Sequence, residues 1–308
     1  MSVNQPPTEL GVAGTGALAR LNDWVQLTKL RLATLVSFAA FVGALLAEGP
    51  SGSLWNAFEA ALWITASAAA GGALNQVLER DTDRLMDRTA TRPLITGRIR
   101  TRDAILVAAV LGVASTVGLW ARFNPLAAML SLASLFAYVA VYTPLKRVST
   151  LNTVVGALPG AAPPLIGYVA IAGGLGNWAI SLFAIVFAWQ FPHFMSIAWM
   201  YRAEYKRAGM QMLPGVDGGE PIAGRQALVY SLCLLPISML PGVWGDAGPV
   251  YTAGALLLGM AYCIASYRFM AKQTRERARQ LLWTSLGYLP ALLTLILSDP
   301  AVRRAAEM

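Results

Sequence analysis

Residues 104–121 read AILVAAVLGVASTVGLWA, and residues 125–142 read PLAAMLSLASLFAYVAVY. Neither run carries a charge, and each approaches the roughly 20 residues that an α-helix needs to cross a bilayer. Backbone polar groups inside lipid must hydrogen-bond within the chain, so both runs are predicted to be transmembrane helices. An outer-membrane β-barrel would instead show short segments in which apolar and polar residues alternate.

Apolar runs of this kind recur along the whole chain, whose 308 residues are 56% hydrophobic and only 13% charged. A soluble domain carries about 25% charged residues, so this chain has too few to cover a water-facing surface. We therefore predict an all-α integral membrane protein with about nine transmembrane helices. The predicted spans are residues 32–48, 54–78, 104–121, 125–142, 151–173, 177–200, 227–245, 249–267 and 279–297.

The basic residues predict the orientation of these helices. If the N-terminus lies in the cytoplasm, every lysine and arginine except Arg122, Arg303 and Arg304 falls in a cytoplasmic segment. Cytoplasmic segments of membrane proteins carry such an excess of positive charge. The same bias explains the net charge of +8, so no nucleic-acid partner is expected.

This topology divides the chain into three parts. We expect a cytoplasmic tail at residues 1–29, a transmembrane domain at residues 30–300 and a short tail at residues 301–308. The long polar segments, residues 79–103 and 201–226, both fall on the cytoplasmic side, whereas the outer connections are short. The function is therefore expected on the cytoplasmic side.

Asn75, Glu79 and Asp83 lie four residues apart where the second span ends, and together they are called the acidic motif below. On a helix this spacing places three oxygen-bearing side chains along one face, one turn apart. Mg²⁺ typically takes one or two carboxylates and fills its remaining positions with water and phosphate oxygens. Polar side chains at a membrane edge are costly and usually functional, which favours a metal site over a solvated loop with local ion pairs.

Basic residues follow the acidic motif. Arg88 and Arg92 are again four residues apart, on one face if the helix continues. The planar guanidinium group matches pairs of phosphate oxygens, and Lys146 in the short Lys146-Arg147 loop adds a point charge. Carboxylates, a metal ion and arginines together suit a substrate with concentrated negative charge.

A third cluster surrounds His193, the only histidine of the chain. It lies within the sixth predicted span, next to Pro192, which kinks a helix, and one turn after Gln190. Such a histidine is as consistent with a buried core residue as with a ligand or an acid–base group. Glu204 lies at the mouth of the same span, as a counterpart of the acidic motif that could hold a second metal ion or position the first.

The three clusters resemble the intramembrane prenyltransferase superfamily that includes the 4-hydroxybenzoate polyprenyltransferases. The resemblance covers most of the chain and rests on the acidic motif followed by Arg-Thr-x-x-Arg-Pro-Leu at residues 88–94. Within that superfamily, the protohaem IX farnesyltransferases are the group that the remaining motifs resemble. These motifs are Trp189-Gln-Phe-Pro-His193-Phe, Glu204-Tyr-x-x-Ala-Gly and Met212-Leu-Pro.

The resemblance implies a ring of nine helices around a central cavity that lipid can reach. It also implies that the acidic motif binds Mg²⁺ and that Glu204 belongs to a second acidic motif. Superfamily members commonly carry two aspartates, four residues apart, where this chain has Tyr201, Glu204 and Tyr205. His193 would bind haem, and the implied diphosphate-binding residues are Arg88, Arg92, Lys146, Arg147 and Arg202.

The activity that the resemblance implies is transfer of the farnesyl group of farnesyl diphosphate to the vinyl group of haem b, giving haem O. Mg²⁺ would be the cofactor, a bacterial inner membrane the location, and haem A synthase or oxidase assembly proteins the candidate partners. The first alternative is prenylation of a quinone precursor or of another tetrapyrrole. The others are a secondary transporter, which would also carry intramembrane polar residues, and a non-catalytic haem-binding assembly factor.

Overall fold

The structure is a computed structural model that describes residues 16–49 and 52–304. Residues 1–15 and 305–308 of the two predicted tails lie outside the described residues. Between them, helices follow one another with connections that are short except at residues 84–100 and 208–218, and the described part of the chain contains no β-strand. The prediction of an all-α protein is confirmed.

The α-helices of the described residues are numbered in chain order. They are α1 (Ala17–Leu27), α2 (Leu30–Glu48), α3 (Leu54–Leu78), α4 (Arg80–Asp83), α5 (Thr101–Arg122), α6 (Pro125–Phe136), α7 (Thr143–Leu145), α8 (Asn152–Ala172), α9 (Asn177–Met200), α10 (Arg202–Arg207), α11 (Gly219–Val243), α12 (Pro249–Ala271), α13 (Arg275–Ser298) and α14 (Pro300–Arg304). A π-helical turn, Ala137–Tyr142, joins α6 to α7, and a 3₁₀ turn spans Leu213–Gly215.

Eight helical segments among the described residues are long and apolar enough to cross a membrane. They correspond to the second to ninth predicted spans. The first predicted span is represented by a shorter apolar helix, Ala33–Glu48, within α2. A multi-pass helical membrane protein is therefore confirmed, and the count of nine spans stays a prediction.

Helices α2 and α8 pack closely because small residues line their contact. A Cβ atom added at Gly43 of α2 would overlap the carbonyl group of Pro164 in α8. In the same way, a Cβ atom at Gly167 of α8 would overlap the carbonyl group of Ala40 in α2. Helices in membranes associate through such small residues, which let the backbones approach. This contact fixes α2 against α8, and both helices line the cavity of the bundle.

The segments predicted to be cytoplasmic meet at one end of the helix bundle. Arg98 Nε lies 3.0 Å from Asp23 Oδ1, joining the segment after α4 to α1. Arg207 Nη2 of α10 lies 3.1 Å from Asp87 Oδ2 of the same segment. The predicted grouping of these segments therefore agrees with the contacts between them, while the side of the membrane that they face stays a prediction.

A cavity of about 650 Å³ lies within the bundle next to this end. Residues of α2, α3, α6, α8, α9 and α13 line it, and most of the lining is apolar. Its size falls within the range of pockets that bury small molecules, about 300–1,000 Å³. The helices thus enclose a chamber suited to an apolar substrate.

Candidate active site

The acidic motif lies at the end of α3, just after Gly71 and Gly72, which line the cavity. Helix α3 ends at Leu78, Glu79 takes a non-helical conformation, and α4 begins at Arg80. The turn-to-turn hydrogen bonds nevertheless continue, since Glu79 N–H donates to Asn75 O at 2.9 Å and Asp83 N–H donates to Glu79 O at 2.7 Å. All three motif side chains are buried, and Asp81 is exposed. The backbone spacing that aligns the three side chains is therefore kept across Glu79, where α3 ends and α4 begins.

Two lysines from other segments contact the acidic motif. Lys29 Nζ, between α1 and α2, donates to Asn75 Oδ1 at 2.6 Å. Lys146 Nζ, after α7, donates to Glu79 Oε1 at 2.8 Å. Asn75 Nδ2 in turn donates to Thr143 Oγ1 at 3.1 Å, which ties α3 to the start of α7. Three distant segments therefore bring their polar groups to one point.

Arg92 also reaches the acidic motif, but not from a helix. Helix α4 ends at Asp83, and residues 84–100 form successive turns, so the expected helical spacing of Arg88 and Arg92 is wrong. Thr89 Oγ1 donates to Asp83 O at 2.7 Å and closes the first of these turns. The turns bring the Arg92 guanidinium back to Asp83 Oδ2 in a short ion pair.

Arg88 points instead towards α10. Its Nη2 donates to Tyr205 Oη at 2.7 Å, and its guanidinium carbon lies 5.1 Å and 5.2 Å from the ring centroids of Tyr201 and Tyr205. A cation within about 6 Å of an aromatic ring is attracted to its face. Tyr201 and Tyr205 therefore hold Arg88 between the two long polar segments that are predicted to be cytoplasmic.

Burial and neighbouring charges act differently on the two carboxylates of the acidic motif. Burial would raise the pKa of Glu79, but the charge and hydrogen bond of Lys146 and the charge of Lys29 outweigh it, so this pKa is lowered. Burial raises the pKa of Asp83, the Glu79 carboxylate adds to this rise, and Arg92 offsets only part of it. A further cation beside Asp83 would offset the cost of its charge.

Lys29 is a site residue that the sequence analysis did not single out. It is the only described non-glycine residue with a positive φ, 52°. Gln76 of α3 donates to Gln26 O at 2.9 Å and to Leu27 O at 2.8 Å, which fixes the end of α1 just before Lys29. Backbone strain of this kind clusters at functional sites. The sequence does not mark Lys29 as a site residue, because the positive-inside rule also predicts a lysine before the first span.

Two side chains of the acidic motif carry carboxylates, and Asn75 supplies an amide oxygen, which are the ligand types that Mg²⁺ prefers. Among the described residues, Asp83 receives side-chain hydrogen bonds only at Oδ2, so Oδ1 is available to a metal ion. These residues therefore fit Mg²⁺. Glu204 makes a different contact: its Oε2 accepts a hydrogen bond from the backbone N–H of Arg88 at 3.5 Å, and its role at a metal ion stays a prediction. No three His, Cys, Asp or Glu side chains gather as a metal site in the described part of the chain.

The two remaining predicted diphosphate-binding residues contact groups other than the side chains of the acidic motif. Arg147 Nη2 donates to Leu78 O at 3.1 Å and so caps the end of α3. Arg202 Nε donates to Glu220 Oε1 at 3.0 Å, and its guanidinium carbon lies 4.1 Å from the Trp199 ring centroid. Their contact with a diphosphate stays a prediction.

His193 lies in the wall of the cavity, together with Gln190. Its Nδ1 is 2.8 Å from Ser285 Oγ of α13, and its ring stacks on Trp189 with centroids 5.0 Å apart. Gln190 Nε2 donates to Ala157 O of α8 at 2.9 Å. Both polar side chains are thus fixed to neighbouring helices at the surface of an apolar chamber.

Comparison with known protein families and curated proteins gives a consistent picture. Residues 36–287 match the model of the UbiA prenyltransferase family. The protohaem IX farnesyltransferase of Solibacter usitatus is 41% identical over 289 residues, covering 91% of this chain and 99% of the relative. That of Koribacter versatilis is 39% identical over 311 residues, covering 98% and 99%.

Solved structures show the same fold at low sequence identity. A structure of digeranylgeranylglyceryl phosphate synthase has a TM-score of 0.76 at 15% identity and covers 92% of this chain and 99% of its own. The apo structure of a UbiA homologue from Aeropyrum pernix has a TM-score of 0.69 at 22% identity, covering 87% and 98%. A UbiA homologue from Archaeoglobus fulgidus bound to GPP and Mg²⁺ has a TM-score of 0.63 at 18% identity, covering 89% and 99%. The chain therefore belongs to the UbiA prenyltransferase family, within its group of protohaem IX farnesyltransferases.

Proposed function

We propose that the chain transfers the farnesyl group of farnesyl diphosphate to the vinyl group of haem b and so forms haem O. One observation carries the proposal: the buried motif of Asn75, Glu79 and Asp83 contacts Lys29, Arg92 and Lys146, and Lys29 also lines an apolar cavity. A substrate with a diphosphate head and a hydrocarbon tail matches both parts. The names of the relatives supply the identity of the two substrates.

The acidic motif and its basic partners would bind the diphosphate. Mg²⁺, held by Asn75, Glu79 and Asp83, would supply positive charge to the phosphate oxygens. Lys29, Lys146 and Arg92, which contact the motif here, are placed to turn towards a diphosphate bound above it. Fixed charges aimed at a leaving group stabilise the charge that develops on it in the transition state, and they act most strongly where water is excluded.

For the formation of the carbon–carbon bond, the protein needs mainly to position the two substrates and to exclude water. As the bond between the allylic carbon and the diphosphate oxygen breaks, that carbon gains positive charge, and the π electrons of the vinyl group form the new carbon–carbon bond. Water adds to the resulting cation and loses a proton, which leaves a hydroxyethylfarnesyl side chain and free diphosphate. The apolar cavity walls keep other water away from the cation until the bond has formed.

We also propose that the protein lies in the bacterial inner membrane with its site facing the cytoplasm. The distribution of lysine and arginine supports this orientation, since all but three of them fall on one side of the predicted topology. The described contacts between α1, α10 and residues 84–100 agree that these basic segments share one end. Haem A synthase and oxidase assembly proteins stay predicted partners.

The proposal is tested by incubating the purified protein with haem b, farnesyl diphosphate and Mg²⁺ and analysing the porphyrin by mass spectrometry. The expected product is haem b that has gained one farnesyl group and one hydroxyl group. Parallel reactions replace haem b with 4-hydroxybenzoate or with a metal-free porphyrin. A farnesylated product from either of these but none from haem b would contradict the proposal. The absence of any diphosphate release would favour a secondary transporter.

A further inference from the structure

Ser285 is a buried serine of α13 that contacts His193 across the helix interface. Its Oγ donates to Leu282 O of its own helix at 2.6 Å and lies 2.8 Å from His193 Nδ1. Its backbone carbonyl accepts a hydrogen bond from Trp189 Nε1 at 2.8 Å. The serine therefore contacts both the histidine and the indole ring that stacks on that histidine.

The hydrogen bonds of Ser285 determine which ring nitrogen of His193 carries the proton. A serine hydroxyl has one proton to donate, and its lone pairs accept. Because Ser285 donates its proton to Leu282 O, its contact with His193 needs the proton on Nδ1 of the imidazole. A neutral imidazole that carries its proton on Nδ1 has an unprotonated Nε2.

The unprotonated nitrogen is free to bind a ligand. In the described part of the chain, Nε2 of His193 has no hydrogen-bond partner, and the ring lines the cavity. The ring orientation is fixed from two sides, by Ser285 and by stacking on Trp189. The Trp189 carbonyl in turn accepts a hydrogen bond from Tyr262 Oη of α12 at 2.9 Å. The histidine thus presents a lone pair in a preformed orientation.

We propose that Ser285 is a positioning residue that holds His193 in the Nδ1-protonated form, so that Nε2 binds the iron of the haem substrate as an axial ligand. Histidines that bind metal ions usually donate their other N–H to a fixed acceptor, which sets the tautomer and strengthens the ligand. The inference rests on the proposed function, since haem is the acceptor substrate there. It adds a residue that none of the sequence motifs contains.

The inference is tested by titrating the purified protein with haem b, without farnesyl diphosphate, and recording absorption and electron paramagnetic resonance spectra. Wild-type protein and Ser285→Thr, which keeps the hydroxyl group, should give the spectrum of histidine-ligated haem. Ser285→Ala should weaken haem binding about 10- to 100-fold, the usual effect of losing such a partner. Ser231→Ala is the matched control, because Ser231 is also buried and donates to its own helix at Leu228 O.

Substitution of the histidine separates ligation from other roles. His193→Gly should lose the histidine-ligated spectrum and regain it when free imidazole is added, which also shows that the variant is folded. A His193→Gly or Ser285→Ala protein with wild-type haem affinity and spectrum would overturn the inference. A rate of farnesyl transfer that falls in Ser285→Ala while the haem spectrum is unchanged would also overturn it, in favour of His193 as a base that takes a proton from water.

The two proposals fail in different measurements. If the wild-type protein forms farnesylated haem but its haem spectrum does not depend on Ser285 and His193, the positioning role is wrong and the proposed function stands. If haem ligation depends on both residues but no farnesylated haem forms, the proposed function is wrong and the haem site stands.

Discussion

At the scale of single residues, the site is a group of buried charges whose partners come from distant parts of the chain. Asp83 pairs with Arg92, Glu79 with Lys146, and Asn75 receives a hydrogen bond from Lys29. Removing one partner of a buried pair leaves an uncompensated charge, which typically costs about 3–5 kcal/mol. We therefore expect these ion pairs to persist until Mg²⁺ and a diphosphate bind and compete for the carboxylates and the basic groups.

Lys29 gives the sharpest prediction at this scale. Lys29→Met removes a cation from the mouth of the cavity while keeping a side chain of similar length, so the KM for farnesyl diphosphate should rise. A hydrogen bond to a charged group contributes about 1.5–3 kcal/mol, which corresponds to a rise of roughly 10- to 100-fold.

The measurement is the initial rate of farnesyl transfer at several concentrations of farnesyl diphosphate. Arg20→Met is the matched control, since Arg20 is an exposed basic residue of α1. An unchanged KM in Lys29→Met would show that this lysine only orders the turn between α1 and α2.

The sequence predicts the acidic residues of the site better than its cations. Asn75, Glu79 and Asp83 follow one another along a helix, so spacing alone predicts that they share a face. The approach of Lys29 depends on a left-handed turn, and that of Arg92 depends on turns closed by Thr89. Both are set by tertiary contacts, and neither has a periodic signal.

At the scale of helices, one irregular turn helps to form the site. The π-helical turn Ala137–Tyr142 precedes Thr143, whose Oγ1 donates to Tyr138 O at 2.8 Å and accepts a hydrogen bond from Asn75. Lys146 follows one turn later, with Nζ 4.5 Å from the Tyr142 ring centroid. Turns of this type are frequent at functional sites. Hydropathy predicts the span around it but not the turn, because the run is apolar throughout and six residues are too few to show a different helical period.

The contact between α2 and α8 gives a prediction at the scale of helices. Gly167→Ala should lower the thermal unfolding midpoint of the purified protein in detergent, because the added Cβ overlaps the backbone of Ala40. Overpacking of a tight contact typically costs about 1–3 kcal/mol. Gly287→Ala in α13 is the control, since no atom outside the surrounding backbone of its own helix lies within 4 Å of a Cβ added there. Equal midpoints for the two variants would contradict the close packing of α2 on α8.

At the scale of the whole molecule, an apolar exterior surrounds a chamber whose polar groups gather at one end. The composition of the chain makes the membrane fold predictable, because long uncharged runs leave the backbone no alternative to helices in lipid. Which helices enclose the cavity depends on contacts between distant spans, so the spans predicted from hydropathy do not give their arrangement. In the proposed function, the loops and helix ends bind the diphosphate, and the helices enclose the hydrocarbon chain.

The central claim is that the acidic motif uses Mg²⁺ to release diphosphate from a farnesyl group bound in the cavity. The most direct measurement follows formation of diphosphate and of farnesylated haem by the purified protein before and after chelation of divalent metal ions, alongside Asp83→Asn. We predict that both products stop on chelation, return together when Mg²⁺ is restored, and fall by about 10²-fold or more in Asp83→Asn. Unchanged product formation after chelation, or a wild-type rate in a correctly folded Asp83→Asn protein, would contradict the claim.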